Sequence, residues 1–308
     1  MSIKKVVVAG GGVLGTQIAY QAAYCGFDVT IWLRSQGSIG RTKPKIENVH
    51  EAYIKAINLM NTAEGKTAQN FCRGLADFDT FNAEECLKKN ENAHNSIKIE
   101  LNLETAVKDA DLVIESMAED VKAKTEFYKM LAPVLPKKTI LVTNSSTLLP
   151  SKFAKVTGCP ERYLSLHFAN EIWKNNTAEI MAQSKTEKKY YDDVVTFAAD
   201  IRMIPLQLHK EKNGYILNSM LVPFLFSAMD LWATDVSDPK TIDTTWVMGT
   251  GAPKGPFQII DVVGLTTCLN IVNMYVKIPS FLAPYHFKDI AKRLQKMIDE
   301  GKKGFYTK

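Results

Sequence analysis

No apolar stretch in this 308-residue chain approaches the ~20 residues that a membrane-spanning helix requires, so no membrane crossing is expected. Cysteine is sparse. Cys25, Cys72, Cys86, Cys159 and Cys268 are scattered with no C-x-x-C pair, which argues against a disulfide framework and a zinc site and suits a reducing cytoplasm. The lysines and arginines form no block interleaved with aromatics, and the net charge is only +5, so no nucleic-acid partner is expected. The amino terminus carries two lysines and a short apolar run, Val6 to Ala9, too brief for the core of a signal peptide. Internal repeats and low-complexity tracts are absent, and the length suffices for one large and one small domain.

What is present begins with strand, glycine turn and helix. Ile3 to Ala9 is a continuous apolar run, and Val13 to Cys25 follows with small and apolar residues at helical spacing, closed by Gly26. Val29 to Leu33 is a second run of the buried parallel type, completing a right-handed βαβ unit. From Pro44 to about Asn95 the chain turns polar with helical periodicity, an excursion inserted in the sheet domain. Strands are predicted at Ile97–Leu101, Asp111–Ser116, Thr139–Thr143, Tyr163–His167, Ala178–Ala182 and Met203–Leu208, with a helix over Lys188–Ile201. Beyond about Lys210 only helices are expected, at Tyr215–Trp232, Lys240–Met248, Phe257–Val276 and Phe287–Glu300. The reading is an α/β chain: a Rossmann-type, doubly wound, mostly parallel sheet domain over residues 1–210, followed by a smaller all-α domain over 211–308.

Gly10-Gly11-Gly12-Val13-Leu14-Gly15 contains G-x-G-x-x-G directly between a strand and a helix, the context in which that hexapeptide binds a dinucleotide. Gly10 would allow the tight turn, Gly12 the approach of backbone to the pyrophosphate, and Gly15 close packing of helix on strand. The phosphates would sit at the helix N-terminus beside Val13 and Leu14, where unpaired N–H groups favour anions. The second strand ends in Leu33 rather than the acidic residue that binds ribose hydroxyls, and Arg34 and Ser35 come next. A cation and a hydroxyl there suit a 2′-phosphate, so NAD(H) and NADP(H) both stay open. The same turn serves methyltransferases and idle nucleotide sensors, so chemistry must be sought elsewhere.

Oxidising a secondary alcohol needs a base for the hydroxyl proton, and histidine titrates near neutrality. His50, His94, His209 and His286 lie in polar or helical surroundings with no evident partner in the sequence. His167 differs, because it ends the apolar strand Tyr163-Leu164-Ser165-Leu166-His167 late in the sheet domain, where ligand crevices form. Twelve residues on, Glu179 can meet it if the loop Phe168–Asn176 folds back, and a carboxylate beside an imidazole fixes its tautomer and favours its charged form. Asn144-Ser145-Ser146 follows a strand and could hold a substrate oxygen and the nicotinamide end of a cofactor, or cap a helix starting near Pro150. Asn218, on an otherwise apolar helix, either lines a cleft or is solvated.

These segments together resemble the 3-hydroxyacyl-CoA dehydrogenase family. The likeness runs through Gly10–Gly15, Asp111–Glu115, Asn144–Ser146, Leu166–Asn170, Gly214–Asn218, Gly251–Phe257 with Asp261 and Gly264-Leu265, and the terminal Gly304-Phe305-Tyr306. Within the family the segment from His167 through Trp173 and Asn175-Asn176-Thr177-Ala178-Glu179 is most similar to the diketoreductase-like branch. The resemblance implies His167 as acid/base, Glu179 as its partner, and Ser146 and Asn218 as donors to the substrate oxygen. It adds Glu115, Lys124 and Asn144 to the cofactor contacts and implies a homodimer formed by the helical domain. The substrate implied is a small 3-hydroxy or 3-keto compound, either a CoA thioester or a free β-dicarbonyl or hydroxy acid.

Overall fold

The computed structural model describes residues 3–67 and 70–307. It divides into two compact units, the first ending at Ile216 and the second beginning at Leu217.

In the first unit the order is β1 (Lys5–Ala9), α1 (Val13–Tyr24), β2 (Asp28–Trp32), α2 (Gln36–Met60), α3 (Ala83–Ser96), β3 (Lys98–Glu100), α4 (Leu103–Val107), β4 (Leu112–Glu115), α5 (Val121–Leu131), β5 (Ile140–Thr143), β6 (Tyr163–Phe168), β7 (Thr177–Met181), α6 (Lys188–Asp200) and β8 (Ile204–Leu208). The strands form one sheet in the order β3-β2-β1-β4-β5-β6-β7-β8. All neighbours are parallel except β6 and β7. Val6, Val7 and Val8 are fully buried because helices cover both faces, which is why this strand reads as an unbroken apolar run. Strand order reverses between β1 and β4, and the carboxyl ends there frame the crevice in which such folds bind ligands.

The helical excursion starts earlier than expected. Helix α2 begins at Gln36 and continues through Pro44, whose missing N–H forfeits only one bond on an exposed side. Two helices escaped the sequence reading, α4 and α5. Their signals are Asn102 and Asp120, which accept from the Thr105 and Ala123 N–H groups as N-caps.

The second unit contains α7 (Leu217–Ala233), α8 (Pro239–Thr250), α9 (Pro256–Val263), α10 (Leu265–Asn273) and α11 (Phe287–Asp299), packed around Phe226, Phe257, Ile290 and Leu294. Here the expected single helix over Phe257–Val276 is two. Gly264 adopts φ +91°, which ends α9, and α10 leaves at 97° to it. The first helix begins at Leu217 rather than Tyr215, which lies in the left-handed region at φ +53°. Among the described residues no single helix is long and apolar enough to cross a membrane. Buried Asp243 accepts from the Phe257 and Gln258 N–H groups and from the Tyr306 hydroxyl, while Asp261 accepts from the Phe305 and Tyr306 N–H groups. The Gly251–Phe257 and Gly304–Tyr306 segments are thus tied together by two carboxylates.

Candidate active site

The crevice over the carboxyl ends of β1, β2 and β4 is a cleft of about 630 Å³, lined by Gly10, Gly12, Leu14, Gly15, Arg34, Asn144 and Ser146 among others. The three glycines of the turn have separate physical reasons. Gly10 takes φ +126°, and a Cβ there would collide with the Ser116 carbonyl. At Gly15 a Cβ would strike the Gly10 carbonyl, so the helix could not lie so close to the strand. At Gly12 a Cβ would meet nothing within 4 Å, so the backbone at the start of α1 faces open space into which an anion can come. The turn therefore fits a dinucleotide pyrophosphate, and Val13, first in the helix, is 60% exposed beside it.

Behind Ser146, which lines the cleft, the antiparallel pairing of β6 with β7 sets His167 directly opposite Glu179. The return that the sequence left conditional is made by a hairpin, and His167 Nδ1 lies 3.1 Å from Glu179 Oε2. Both side chains are buried, at 7% and 4% exposure. A carboxylate at Nδ1 keeps the ring proton on that nitrogen and leaves Nε2 to Ser146 Oγ, 3.1 Å away, on a residue that lines the cleft. The second carboxylate oxygen of Glu179 accepts from the Ile216 N–H at 2.8 Å. Tyr215 stacks on the imidazole with centroids 4.4 Å apart and planes 11° from parallel, and its hydroxyl donates to the Ser145 carbonyl. Burial pushes the Tyr215 pKa well up, so that hydroxyl remains a donor.

Asn144 and Ser146 do not cap a helix. The segment at Pro150 is a single 3-10 turn whose cap position is Leu149. Asn144 Oδ1 instead accepts from the Phe168 N–H, joining the ends of β5 and β6, and Asn144 Nδ2 donates weakly to Ser116 Oγ. Asn218 stands half-buried in the first turn of α7, in the second unit.

Three sequence expectations need correction, and one cleft residue went unforeseen. Glu115 and Lys124 do not line the cleft. Both are fully buried beneath it, paired at 2.7 and 2.8 Å, with the Tyr128 and Thr143 hydroxyls and the Met117 N–H also on the carboxylate. Ser35 is exposed and hydrogen-bonded to Ser38, which lines the cleft in its place. His50, His94 and His286 have partners after all: Tyr20 and Asn90, Glu47, and Asp230. Glu119, finally, escaped the sequence reading. It lines the cleft and accepts from Ser145 Oγ, the Thr147 N–H and hydroxyl, and the Leu148 N–H. Burial opposes its ionisation, but the Ser145 and Thr147 bonds and the nearby Lys124 charge outweigh it and hold its pKa below the usual value. Its only local signal was a carboxylate in the loop after a strand end. Among the described residues no group of three or more potential ligands could hold a metal.

Residues 5–212 match the NAD-binding domain of 3-hydroxyacyl-CoA dehydrogenase, and residues 214–308 match its C-terminal domain. The chain is 30% identical to the human mitochondrial hydroxyacyl-coenzyme A dehydrogenase over 88% of its own length and 79% of that protein. A probable 3-hydroxybutyryl-CoA dehydrogenase of Bacillus subtilis is 28% identical over 89% of this chain and 86% of its own. Among solved structures, a diketoreductase studied for its catalysis of dicarbonyl compounds is 41% identical, with a TM-score of 0.83 and coverage of 99% of this chain and 96% of that one.

Proposed function

The chain belongs to the 3-hydroxyacyl-CoA dehydrogenase family and is a nicotinamide-dependent oxidoreductase acting on a CH–OH group, and from that premise we propose that it interconverts 3-hydroxy and 3-keto groups with His167 moving the proton. The observation that carries this reading is the buried Glu179–His167 pair with Nε2 on Ser146 at the cleft.

When bound, the dinucleotide supplies or accepts the hydride. Everything else falls to the chain. In oxidation His167 Nε2 takes the substrate hydroxyl proton, and in reduction it returns it. Glu179 holds the ring in the orientation and tautomer that leave Nε2 to the substrate. Ser146 Oγ donates to the substrate oxygen as charge develops there, and the family resemblance adds Asn218 as a second donor. Asn144, by bridging β5 and β6, keeps Ser146 and His167 in register. His167→Ala should lower kcat by about 10²–10⁴ while dinucleotide binding survives; a near-normal rate would remove His167 from the proton path.

The cofactor is read as NAD(H) or NADP(H) on the glycine turn, with the basic residues beyond Leu33 favouring NADP(H). For the substrate, the curated relatives favour a 3-hydroxyacyl-CoA, whereas the 41% identity to the diketoreductase favours a free β-dicarbonyl. Comparing kcat/KM for acetoacetyl-CoA with that for a simple β-diketone decides between them. The family reading extends to a homodimer through the helical unit, where Met248, Met274, Phe281 and Leu282 are 66–86% exposed and a partner would cover them. Sedimentation equilibrium tests it. Five free cysteines suit a reducing compartment, and we place the enzyme in the cytoplasm on that ground.

A further inference from the structure

We propose that the side of the cleft beyond β2 is a subsite for a ribose 2′-phosphate, built by Arg34, Ser38 and Arg41, so that NADP(H) is preferred over NAD(H). This rests on the reading of the cleft as a dinucleotide site and deepens it.

A free ribose diol is best held by a carboxylate that accepts from its hydroxyls, whereas a phosphate offers only acceptors at neutral pH and calls for donors and positive charge. The segment from Trp32 to Lys45 contains Arg34, Arg41, Lys43 and Lys45 and no Asp or Glu. Leu33, where the diol-binding carboxylate would stand, is buried in the core, with its N–H on the Glu100 carbonyl. The carboxylates of β2, β3 and α2 are engaged elsewhere. Glu100 accepts from the Leu101 and Asn102 N–H groups, Asp28 pairs with Lys98, and Glu47 with His94.

The donors, by contrast, converge. Ser38, Arg41, Thr42 and Lys45 recur at i, i+3, i+4 and i+7 on α2 and all line the cleft, with Arg34 facing them from the end of β2. Arg41 Nη2 donates to Ser38 Oγ at 3.0 Å, which in turn contacts Ser35 Oγ at 3.0 Å, so guanidinium and hydroxyls already form a chain. Thr42 Oγ1 and Lys45 Nζ hold the Gly11 carbonyl at 3.3 and 3.2 Å, which ties this face of the helix to the glycine turn. Among the described residues neither Arg34 nor Arg41 has an ion pair with a carboxylate. Two guanidinium groups beside an open cleft, on a segment that carries no carboxylate of its own, match a phosphate in charge and in hydrogen-bonding sense, while Glu119, the acid in the cleft lining, is engaged by Ser145, Thr147 and Leu148.

The test is calorimetric titration of the full chain with NADPH, NADH, 2′,5′-ADP and 5′-ADP. The expected result is a Kd for NADPH at least about tenfold below that for NADH, with the same order for the two ADP probes. Because Arg34 and Arg41 are exposed, the ratio should shrink as salt is raised. Arg34→Leu and Arg41→Leu should each reduce it and the double variant bring it near unity, while Leu33→Asp should move it toward NADH. Far-UV circular dichroism checks that each variant is folded. Equal or tighter binding of NADH, or a ratio that these variants leave unchanged, overturns the subsite. Should neither dinucleotide bind, the dinucleotide reading of the cleft falls with it; NADH bound tightly without preference sinks the phosphate subsite alone.

Discussion

Glu115 and Glu179 are both buried carboxylates near strand ends of the same sheet, and both face a nitrogen base, yet they do opposite work. Glu115 is closed: Lys124, Tyr128, Thr143 and the Met117 N–H converge on it, and neither Glu115 nor Lys124 reaches the cleft. Glu179 is one end of a relay, because its partner His167 has a second nitrogen, and that nitrogen meets Ser146 at the cleft. A lysine offers a single charged point, here shared between Glu115 and, at 3.7 Å, Glu119, and has no second nitrogen to pass a proton through. An imidazole has one. The difference teaches that a buried ion pair signals chemistry only when one member has a free end facing a space that a ligand can enter.

The largest effect should come from breaking the closed pair. Lys124→Met leaves Glu115 uncompensated in the interior, and removing one partner of such a pair commonly destabilises by about 3–5 kcal/mol. Chemical denaturation should show that loss, and adding Glu115→Gln should restore part of it, since the uncompensated charge is gone. A Lys124→Met protein of unchanged stability would mean that Glu115 is not the sealed member of the contrast. Next comes the relay. Glu179→Gln keeps the shape but removes the charge that fixes and stabilises the imidazole, so kcat should fall by about 10²-fold or more. Its Tm should move less than that of Lys124→Met. If rate and stability respond alike in the two variants, the distinction between them collapses.

Much of this was legible in the sequence because it is local. The glycine turn, the apolar strands and the acid–base pair could be read, the last only on condition that the chain between His167 and Glu179 doubled back. The antiparallel register that places them opposite each other is a property of the hairpin, not of either segment. Glu115 was misread for a related reason. A strand-end position is visible in sequence, but which face the side chain takes depends on what lies beneath, and α5, which supplies Lys124 and Tyr128, was not foreseen. Gly264 was visible as a glycine within an apolar stretch, but its positive φ, which splits the expected helix, was not. Glu119 could not be found at all by local reading, since its partners lie 26 to 29 residues away in the loop after β5.

That loop supplies the smallest and sharpest prediction. Glu119 is a third carboxylate, between the other two in character: it faces the cleft, but its bonds serve the chain by holding the segment Ser145–Leu148 that presents Ser146. Its folded-state pKa is depressed, so its contribution to stability is fully present above the ordinary carboxylate value of about 4.3 and is lost as pH falls through the lower folded value. The side chain is 35% exposed, so solvent screens the effect and it should be well below that of the buried pairs. Glu119→Gln should therefore lower Tm slightly at neutral pH, and the gap from wild type should close as pH drops below about 4. Hydrogen exchange should quicken at the Thr147 and Leu148 amides. A gap that persists unchanged into acid would show that the carboxylate's charge does not hold this loop, and that Ser146 owes its position to the strand ends and Asn144 instead.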